Sequence, residues 1–301
     1  MEKIVKPFFE PARIEKQLAE LHKSASPGDE RDLLFNLILV SSQDTEKKAA
    51  TLLDGLMGKR SARIIHIKHT DNAESSLRLS ARCSLDRAKR GVCFQEIVIE
   101  NGKDNAGFAP GTWTGLLVRD LPVIALWLPT ADTMQDLFIH LEDHVDKIII
   151  DFWTLEKQGL SPEDFISQME LLAPDSLAIL SDIHWHRLLD MRRKIALFMD
   201  ENKLCDNHSS IKKITLSGVS SSTFFLIKNW LIDRLGWKNT EPAPEIEKQN
   251  SARPELIITA DTEYKMHLAE PDDSQDVEIL RQECDNPEPD GFFLQALHVS
   301  M

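Results

Sequence analysis

Few residues in this sequence have the spacing that catalysis or metal binding requires. His184 and His186 lie two positions apart, and on a helix such a pair points to different sides, so the two cannot easily share one metal ion. Cys205 and His208 are close in sequence, but no further ligand is evident beside them. We therefore predict no catalytic, metal-binding or cofactor-binding residues.

The four cysteines, Cys83, Cys93, Cys205 and Cys284, form no C-x-x-C pair. We expect them to be reduced and mostly buried, as free cysteines usually are. A second interpretation stays open for Cys83 and Cys93. If these two residues sit on neighbouring strands, they could form a regulatory disulfide.

Signatures of nucleotide binding are also missing. The first predicted strand runs into residues 41–44, SSQD, where a dinucleotide-binding turn would need the pattern G-x-G-x-x-G. A lysine-containing phosphate loop of the Walker type is not found either. There is therefore no reason to expect a bound nucleotide cofactor.

One turn between a strand and a helix has the residue types of an anion site. Residues 216–222 read LSGVSSS, and a helix beginning at Ser220, Ser221 and Ser222 would offer free N–H groups to a sugar phosphate. Ser220 or Ser221 could instead be an ordinary helix N-cap. A hydrolase elbow, G-x-S-x-G, is excluded because position 222 is serine rather than glycine.

Basic and aromatic side chains are the candidate contacts for a partner. Arg87, Lys89 and Arg90 lie in a predicted hairpin turn, where they could pair with carboxylates or phosphates, although a solvated hairpin tip is the alternative. The chain has 6 Trp against 1 Tyr, which is typical of buried or interface aromatic residues. We predict that Trp113 is an apolar anchor for a partner and that most other tryptophans are core.

Negative charge is concentrated in the last part of the chain. Residues 241–301 contain 15 acidic and 4 basic residues, a net charge of −11 out of −14 for the whole sequence. Because such a region repels phosphodiesters, nucleic acid is not an expected partner. No window approaches the roughly 18 apolar residues of a membrane span, and no leader pattern opens the sequence, so we predict a cytoplasmic protein without membrane contact.

The apolar periodicity predicts an α/β protein with two α/β domains. Residues 1–30 are predicted to form an amphipathic helix and a linker. Residues 31–155 alternate apolar strands and helices, which predicts a three-layer unit with a mixed, partly parallel sheet and a hairpin near its centre. Residues 156–301 are predicted to form a second α/β domain with mixed strands and long buried helices.

Details of the second domain follow from shorter patterns. A helix should begin at Pro162, a long helix should cover about 181–199, and a buried helix should cover 220–235. Strands are expected at 211–216, 256–260, 264–268, 277–282 and 292–299. Residues 241–254 have the composition of a flexible connection.

Three blocks of the first domain have the residue order of a known pattern. Residues 61–65, SARII, are similar to R-P-A-R-V, and residues 92–99, VCFQEIVI, are similar to V-C-S-E-Q-I-x-I with two positions exchanged. Residues 119–129, RDLPVIALWLP, are similar to D-L-P-V followed by W-W-P.

Three further blocks continue in the same order. Residues 143–151, DHVDKIIID, are similar to D-R-V-I-V-D-S, residues 182–188, DIHWHRL, to D-L-x-W-x-R-L, and residues 230–237, WLIDRLGW, to W-L-A-S-R-L-G-W. The six blocks together resemble the OpcA family of glucose-6-phosphate dehydrogenase assembly proteins, over residues 12–237. The residues that match are Arg63, Glu96, Asp120, Pro122, Trp127, Asp151, Trp185, Arg187, Trp230, Arg234 and Trp237.

The resemblance implies a subunit without chemistry of its own. Such a subunit would bind glucose-6-phosphate dehydrogenase and promote its active oligomeric form, at the entry of the oxidative pentose phosphate pathway. We expect structural roles for the apolar matching residues. The competing hypothesis is an enzyme or sensor that binds a sugar phosphate at residues 217–222.

Overall fold

Two β-sheets form the framework of the molecule. The computed structural model describes residues 2–5, 10–25, 33–57, 59–72, 74–85, 91–102, 110–128, 141, 143–172, 178–239 and 242–298. The strands of the larger sheet are β1 (Glu2–Val5), β2 (Phe35–Ser41), β3 (Ala62–His69), β4 (Ser76–Leu85), β5 (Gly91–Asn101), β6 (Val123–Leu128), β7 (Lys147–Ile150) and β8 (Ile179–Asp182). They lie in the order β1-β4-β5-β3-β2-β6-β7-β8.

The larger sheet is mixed, as predicted. Six neighbouring strands, β5, β3, β2, β6, β7 and β8, run parallel to one another. Strand β4 is antiparallel to β5 and to β1. The predicted hairpin of β4 and β5 is confirmed, with Ser76 opposite Glu100 and Leu85 opposite Gly91. All seven residues of β2 are buried, which explains why its sequence is apolar without alternation.

Helices cover both faces of this sheet. In the part of the chain that the structure describes, they are α1 (Pro11–Ala25), α2 (Glu46–Leu56), α3 (Pro110–Trp113), α4 (Phe152–Lys157), α5 (Pro162–Leu172), α6 (Ile183–Arg187), α7 (Leu189–Glu201), α8 (Ser221–Arg234), α9 (Asp276–Asp285) and α10 (Gly291–His298). Ile14 and Leu18 of α1 pack on one face of the sheet. Leu52 of α2 and Leu280 of α9 pack on the other, so the predicted three-layer arrangement is confirmed.

A smaller mixed sheet lies in the second half of the chain. Its strands are β9 (Lys213–Ser217), β10 (Glu245–Gln249), β11 (Glu255–Thr259) and β12 (Glu263–His267). The order is β10-β9-β11-β12, with β10 parallel to β9 and the other pairs antiparallel. The predicted strands near 211–216, 256–260 and 264–268 are confirmed, and the chain is an α/β protein with two such sheets.

Two of the predicted strands are wrong. Residues 277–282 belong to α9 and residues 292–299 overlap α10. The buried residues of α9 are Asp276, Ile279, Leu280 and Glu283, which recur at helical spacing, and Phe293, Ala296 and Leu297 do the same in α10. Both segments are short and rich in branched or aromatic residues, so propensity alone favoured strands.

Other predicted bounds shift in the structure. The long helix expected at 181–199 is preceded by strand β8 and divided into α6 and α7. The connection expected at 241–254 contains β10, an edge strand whose five residues are exposed or half-buried. Since β8 lies at 179–182, the larger sheet continues past residue 155. Among the residues described, no helix combines the length and the apolar character that crossing a bilayer would require.

Candidate functional site

The carboxyl ends of the parallel strands form the edge where a ligand would be expected. The chain continues from β2 to β3 on one side, while β6 pairs with the other side of β2 and leads to β7. Ligands of open α/β sheets bind outside such a reversal point. A crevice of about 430 Å³ lies at this edge, and its lining includes Lys47, Lys48, Trp153, Lys157 and Asp276. We call it the edge crevice.

Behind the edge crevice, Asp151 is fully buried at the end of β7. It accepts two hydrogen bonds from Arg187, from Nη1 to Oδ1 and from Nη2 to Oδ2, both at 3.0 Å. The hydroxyl of Thr154 donates to Oδ2 at 2.5 Å, and the ammonium group of Lys48 also donates to Oδ2. Asp151 and Arg187 come from two different blocks of the family pattern, and the fold brings them together.

Arg187 binds a second carboxylate, that of Asp276 at the start of α9. Its Nε donates to Oδ1 at 2.5 Å and its Nη2 donates to Oδ2 at 2.6 Å. Lys48 lies 3.3 Å from the same carboxylate. Two cations therefore face two carboxylates, and we call Lys48, Asp151, Arg187 and Asp276 the buried charge network.

Opposing effects set the ionisation of Asp151. Burial would raise the pKa of its carboxyl group, but the positive charges of Arg187 and Lys48 outweigh burial and hold the pKa below its ordinary value. For Arg187, burial would lower the pKa, and the charge of Asp151 together with the bonds to Asp276 raises it. Both groups stay charged at neutral pH, so this network is an internal ion pair rather than an acid or base poised for proton transfer.

Asp182, at the end of β8, has the opposite shift. Burial raises its pKa to about 7, and the nearby charge of Asp151 acts in the same direction. Its carboxylate accepts the backbone N–H groups of Phe152 at 3.0 Å, His184 at 3.2 Å and Trp185 at 2.9 Å. These bonds make Asp182 the N-cap of α6 and link the start of α4 to that helix.

Trp153 lies against the buried charge network, with its ring centroid 5.1 Å from the guanidinium carbon of Arg187. Its ring stacks on His184, with centroids 6.4 Å apart and planes 11° apart. The ammonium group of Lys157 lies 3.2 Å from the ring centroid, a cation–π contact. Burial lowers the pKa of His184 to about 4, so its imidazole is neutral, and its Nε2 lies 2.9 Å from the hydroxyl of Thr223.

The turn that was a candidate anion site is filled by a carboxylate of the chain itself. The N–H groups of Ser221 and Ser222 donate to the two oxygens of Glu156 at 2.7 and 2.8 Å, and the hydroxyl of Ser222 adds a bond of 2.6 Å. Ser220 is the N-cap, because its hydroxyl accepts the N–H of Thr223 at 3.1 Å. A phosphate would have to displace Glu156 to bind here.

Other residues that match the family pattern tie elements together. Arg63 is buried, and its Nη1 donates to Glu15 of α1 and to the carbonyl of Leu116, both at 2.7 Å, while its Nη2 donates to Gln95 at 2.7 Å. Glu96 accepts from the hydroxyl of Ser80 at 2.9 Å. These contacts join α1, β3, β4 and β5.

In the turn before β6, Asp120 has a φ of 62°, and the carbonyl of Pro122 accepts the N–H of Asn36 at 2.8 Å. This bond holds the turn against the start of β2, the neighbouring strand of the sheet.

The matching aromatic residues are mostly core. Trp127, Trp185 and Trp237 are buried, and Trp230 is half-buried. The indole N–H of Trp185 donates to Asp290 at 2.8 Å. Arg234 stacks over Phe292, whose side chain is 53% exposed.

The predicted partner contacts have different outcomes. Arg87, Lys89 and Arg90 lie outside the described residues. Trp113 is fully buried and packs edge-on against His144, with ring centroids 5.6 Å apart, so its ring belongs to the core and is not an exposed anchor. No sequence signal pointed to Lys48 or Asp276, because neither belongs to a recognisable motif.

Cysteine chemistry also differs from the first expectation. Cys83 and Cys93 are opposite each other on β4 and β5 and are joined in a disulfide, so the expectation of reduced thiols is wrong for this pair, while a regulatory role of the disulfide stays a prediction. Cys205 and Cys284 are free, and Cys205 is exposed rather than buried. Burial raises the pKa of the Cys284 thiol to about 12, which makes it unreactive at neutral pH.

Comparisons with known proteins agree with the pattern of blocks. A family model described as "Glucose-6-phosphate dehydrogenase subunit N-terminal domain" matches residues 54–162, and the companion model for the C-terminal domain of the same dehydrogenase subunit matches residues 178–297. The curated "Putative OxPP cycle protein OpcA" of Synechocystis sp. (strain ATCC 27184 / PCC 6803 / Kazusa) is 23% identical over 192 residues. That match covers 62% of this chain and 39% of the relative, so the chain spans less than half of the relative's length. With matched regions over most of its length, the chain belongs to the OpcA family of glucose-6-phosphate dehydrogenase subunits.

Proposed function

We propose that this protein is a non-catalytic subunit that binds glucose-6-phosphate dehydrogenase and promotes its active oligomeric form. It would thereby increase flux into the oxidative pentose phosphate pathway. The family models that match both halves of the chain support this proposal, since both are described by that dehydrogenase.

The main observation behind this proposal is that two charged residues of the family pattern are buried and paired with each other. Asp151 and Arg187 are 0% and 1% exposed at their side chains and neutralise each other together with Lys48 and Asp276. Groups that are paired and buried in this way stabilise an architecture and cannot reach a substrate. Charged residues that are used inside the protein fit a rigid scaffold, which would act by contacting another protein through its outer surface.

Helix α7 offers an outer surface suited to such a contact. Leu189 and Leu197 are 41% and 61% exposed and lie eight residues apart, so they share one face of the helix with Arg193. The inner face is anchored by Met191, Ile195 and Met199. This face is one candidate surface for the dehydrogenase, and the predicted basic contacts Arg87, Lys89 and Arg90 are a separate candidate.

The energy that such a subunit must supply is modest. It acts by binding the active form of the enzyme more tightly than the inactive form. A 10- to 100-fold change in the population of the active form requires about 1.4 to 2.7 kcal/mol of differential binding. A few well-packed apolar residues can provide this difference.

The test uses the dehydrogenase of the same organism. The two purified proteins are mixed, and the size of the enzyme by light scattering and its turnover are measured as the subunit is titrated. We expect larger oligomers and higher turnover that saturate together. If neither changes at micromolar excess of the subunit, the proposal is wrong.

Variants then locate the surface. Reversing Arg87, Lys89 and Arg90 to Glu, or changing Leu189 and Leu197 to Ser, should weaken the complex at least tenfold. Reversing Lys212, which precedes β9, and Lys265 of β12, whose side chains are 69% and 61% exposed, is the control. If all the variants bind as the natural sequence does, the surface lies elsewhere.

The competing sugar-phosphate hypothesis gains no support from the turn at 217–222. Glu156 occupies its N–H groups, and Glu270 accepts the N–H of Ser220 at 3.1 Å, so two carboxylates lie where the phosphate would bind. Calorimetry with a 6-phosphosugar and the isolated subunit distinguishes the two functions. We expect no heat of binding from the subunit alone.

A further inference from the structure

We propose that Cys83 and Cys93, when reduced, form a zinc site together with His22. The three residues each offer one ligand atom, and these atoms all lie within 4.8 Å of one another. This metal site would be additional to the proposed function, because binding a dehydrogenase does not require a metal ion at the β4–β5 hairpin. The site would bind a soft or borderline divalent cation, for which two thiolates and one imidazole are suitable ligands.

The fold brings these three residues together although they are far apart in sequence. Cys83 and Cys93 are directly opposite in the β4–β5 hairpin, with Cα atoms 4.1 Å apart. His22 lies in the last turn of α1, the helix that packs across the same strands through Ile14 and Leu18. The Nδ1 atom of His22 lies 3.4 Å from Nε2 of Gln95, and a metal ion bound at Nδ1 would replace this contact.

The spacing fits a tetrahedral metal centre. With Zn–S bonds of about 2.3 Å, two thiolates in a tetrahedral site are roughly 3.7 Å apart, and an imidazole nitrogen bound at about 2.0 Å lies at a similar distance. Atoms that already lie within 4.8 Å need only side-chain rotation to reach this geometry. His22 and Cys83 are half-buried, so an ion and a water molecule as fourth ligand can reach the site from solvent.

The disulfide and the metal site exclude each other. In the structure the two sulfur atoms are bonded to one another, and a disulfide sulfur carries no negative charge with which to bind Zn²⁺. Reduction by a phosphine breaks the S–S bond; the phosphine takes the oxygen of one water molecule, and the two hydrogens of that water become the thiol protons. Zinc then replaces both thiol protons, which are released to solvent.

Metal binding would fix the end of α1 to the hairpin. The oxidised hairpin links only β4 and β5, whereas a zinc ion would link both strands to the helix through His22. The helix also contacts the sheet through Glu15 and Arg63, so the metal would add a second polar attachment on the same side. We therefore expect the reduced, zinc-bound protein to protect the backbone amides of residues 20–25 better than the oxidised protein.

The experiment uses the full chain in two redox states. Protein in which the free cysteines are removed, Cys205→Ser with Cys284→Ser, is prepared oxidised and phosphine-reduced, and Co²⁺ is titrated as a spectroscopic substitute for Zn²⁺. We expect one equivalent to bind to the reduced protein, with a thiolate-to-cobalt charge-transfer band that Zn²⁺ abolishes. The oxidised protein should bind at least tenfold more weakly.

Three outcomes would overturn the proposal. They are no binding to the reduced protein, equal binding to both redox states, and unchanged affinity in His22→Gln. We expect His22→Gln to lose at least tenfold in affinity and Cys93→Ser to lose the charge-transfer intensity of one thiolate. Because the comparison of redox states uses a single sequence, it decides the question even if a variant fails to fold.

Discussion

Replacing Arg187 by Met removes the shared cation of the buried charge network. Methionine keeps the flexible apolar part of the arginine side chain but has no guanidinium group, so the main change is the loss of four hydrogen bonds of 2.5 to 3.0 Å to Asp151 and Asp276. Two buried carboxylates would then share Lys48 alone. Removing one partner of a buried ion pair costs about 3–5 kcal/mol, because the remaining charge is left without compensation.

We expect Arg187→Met to lower the free energy of unfolding by this amount in urea denaturation at pH 7. The matched control is Arg193→Met on α7, whose side chain is 67% exposed and lies 3.6 Å from Asp190. An exposed pair of this kind is worth less than about 1 kcal/mol. If the two substitutions cost the same, the buried charge network does not stabilise the fold as we reason.

A pH series checks the cause of the loss. The charges of Arg187 and Lys48 hold the pKa of Asp151 below its usual value, so this carboxylate stabilises the natural protein above about pH 4 and loses that contribution as the pH falls. Without Arg187 the pKa of Asp151 rises. Asp151 of the unfolded chain titrates alike in both proteins, so it cancels from the comparison. The difference in stability between the natural protein and Arg187→Met should therefore shrink as the pH falls from about 7 to about 3, because folded Arg187→Met takes up the proton on Asp151 at a higher pH than the folded natural protein does. A difference that stays constant over this range would contradict the electrostatic explanation.

Two further predictions concern burial and backbone geometry. Because burial lowers the pKa of His184 to about 4, the unfolded chain protonates this histidine before the folded protein does, and the contribution of His184 to stability falls as the pH drops from about 6.5 towards 4. The variant His184→Gln should lose roughly 3 kcal/mol less over that range in urea titrations, and an unchanged slope would exclude His184 as the cause. Gly218 and Gly236 both have a φ of +67°, but an added Cβ at Gly218 would lie 2.6 Å from the carbonyl oxygen of Arg253, whereas nothing lies within 4 Å at Gly236. Gly236→Ala should cost about 1 kcal/mol and Gly218→Ala about 2 kcal/mol more, and equal midpoints of denaturation would refute the steric argument.

Local patterns were sufficient for the elements whose neighbours are close in sequence. The unbroken apolar run of β2 predicted a strand buried on both faces, and the turn between β4 and β5 predicted their hairpin. The predicted hairpin also placed Cys83 and Cys93 on neighbouring strands, which is the arrangement that a disulfide between them requires. Where a segment is short, propensity failed, as for α9, because its helical spacing of buried residues extends over only two turns.

Contacts between distant residues were beyond reach of the sequence alone. Glu156 caps α8 from 65 residues away, and Arg187 reaches Asp276 across 89 residues. The sequence shows only that each of these residues is charged. It does not distinguish a charged side chain in solvent from one that is buried in an ion pair. Their partners follow from the packing of helices on the larger sheet, which no local periodicity specifies.

The return of α9 to the larger sheet has a consequence for how the chain matures. Lys147 is 3% exposed, and its ammonium group donates to the carbonyl of Glu283, 136 residues further along, at 3.1 Å and to the carbonyl of Asn286 at 2.9 Å. During translation, the ammonium group of Lys147 stays hydrated until these carbonyl acceptors have left the ribosome. The part of the sheet around Lys147 therefore stays uncovered while the next 136 residues are synthesised, and a chaperone that shields it would protect the protein until α9 has formed.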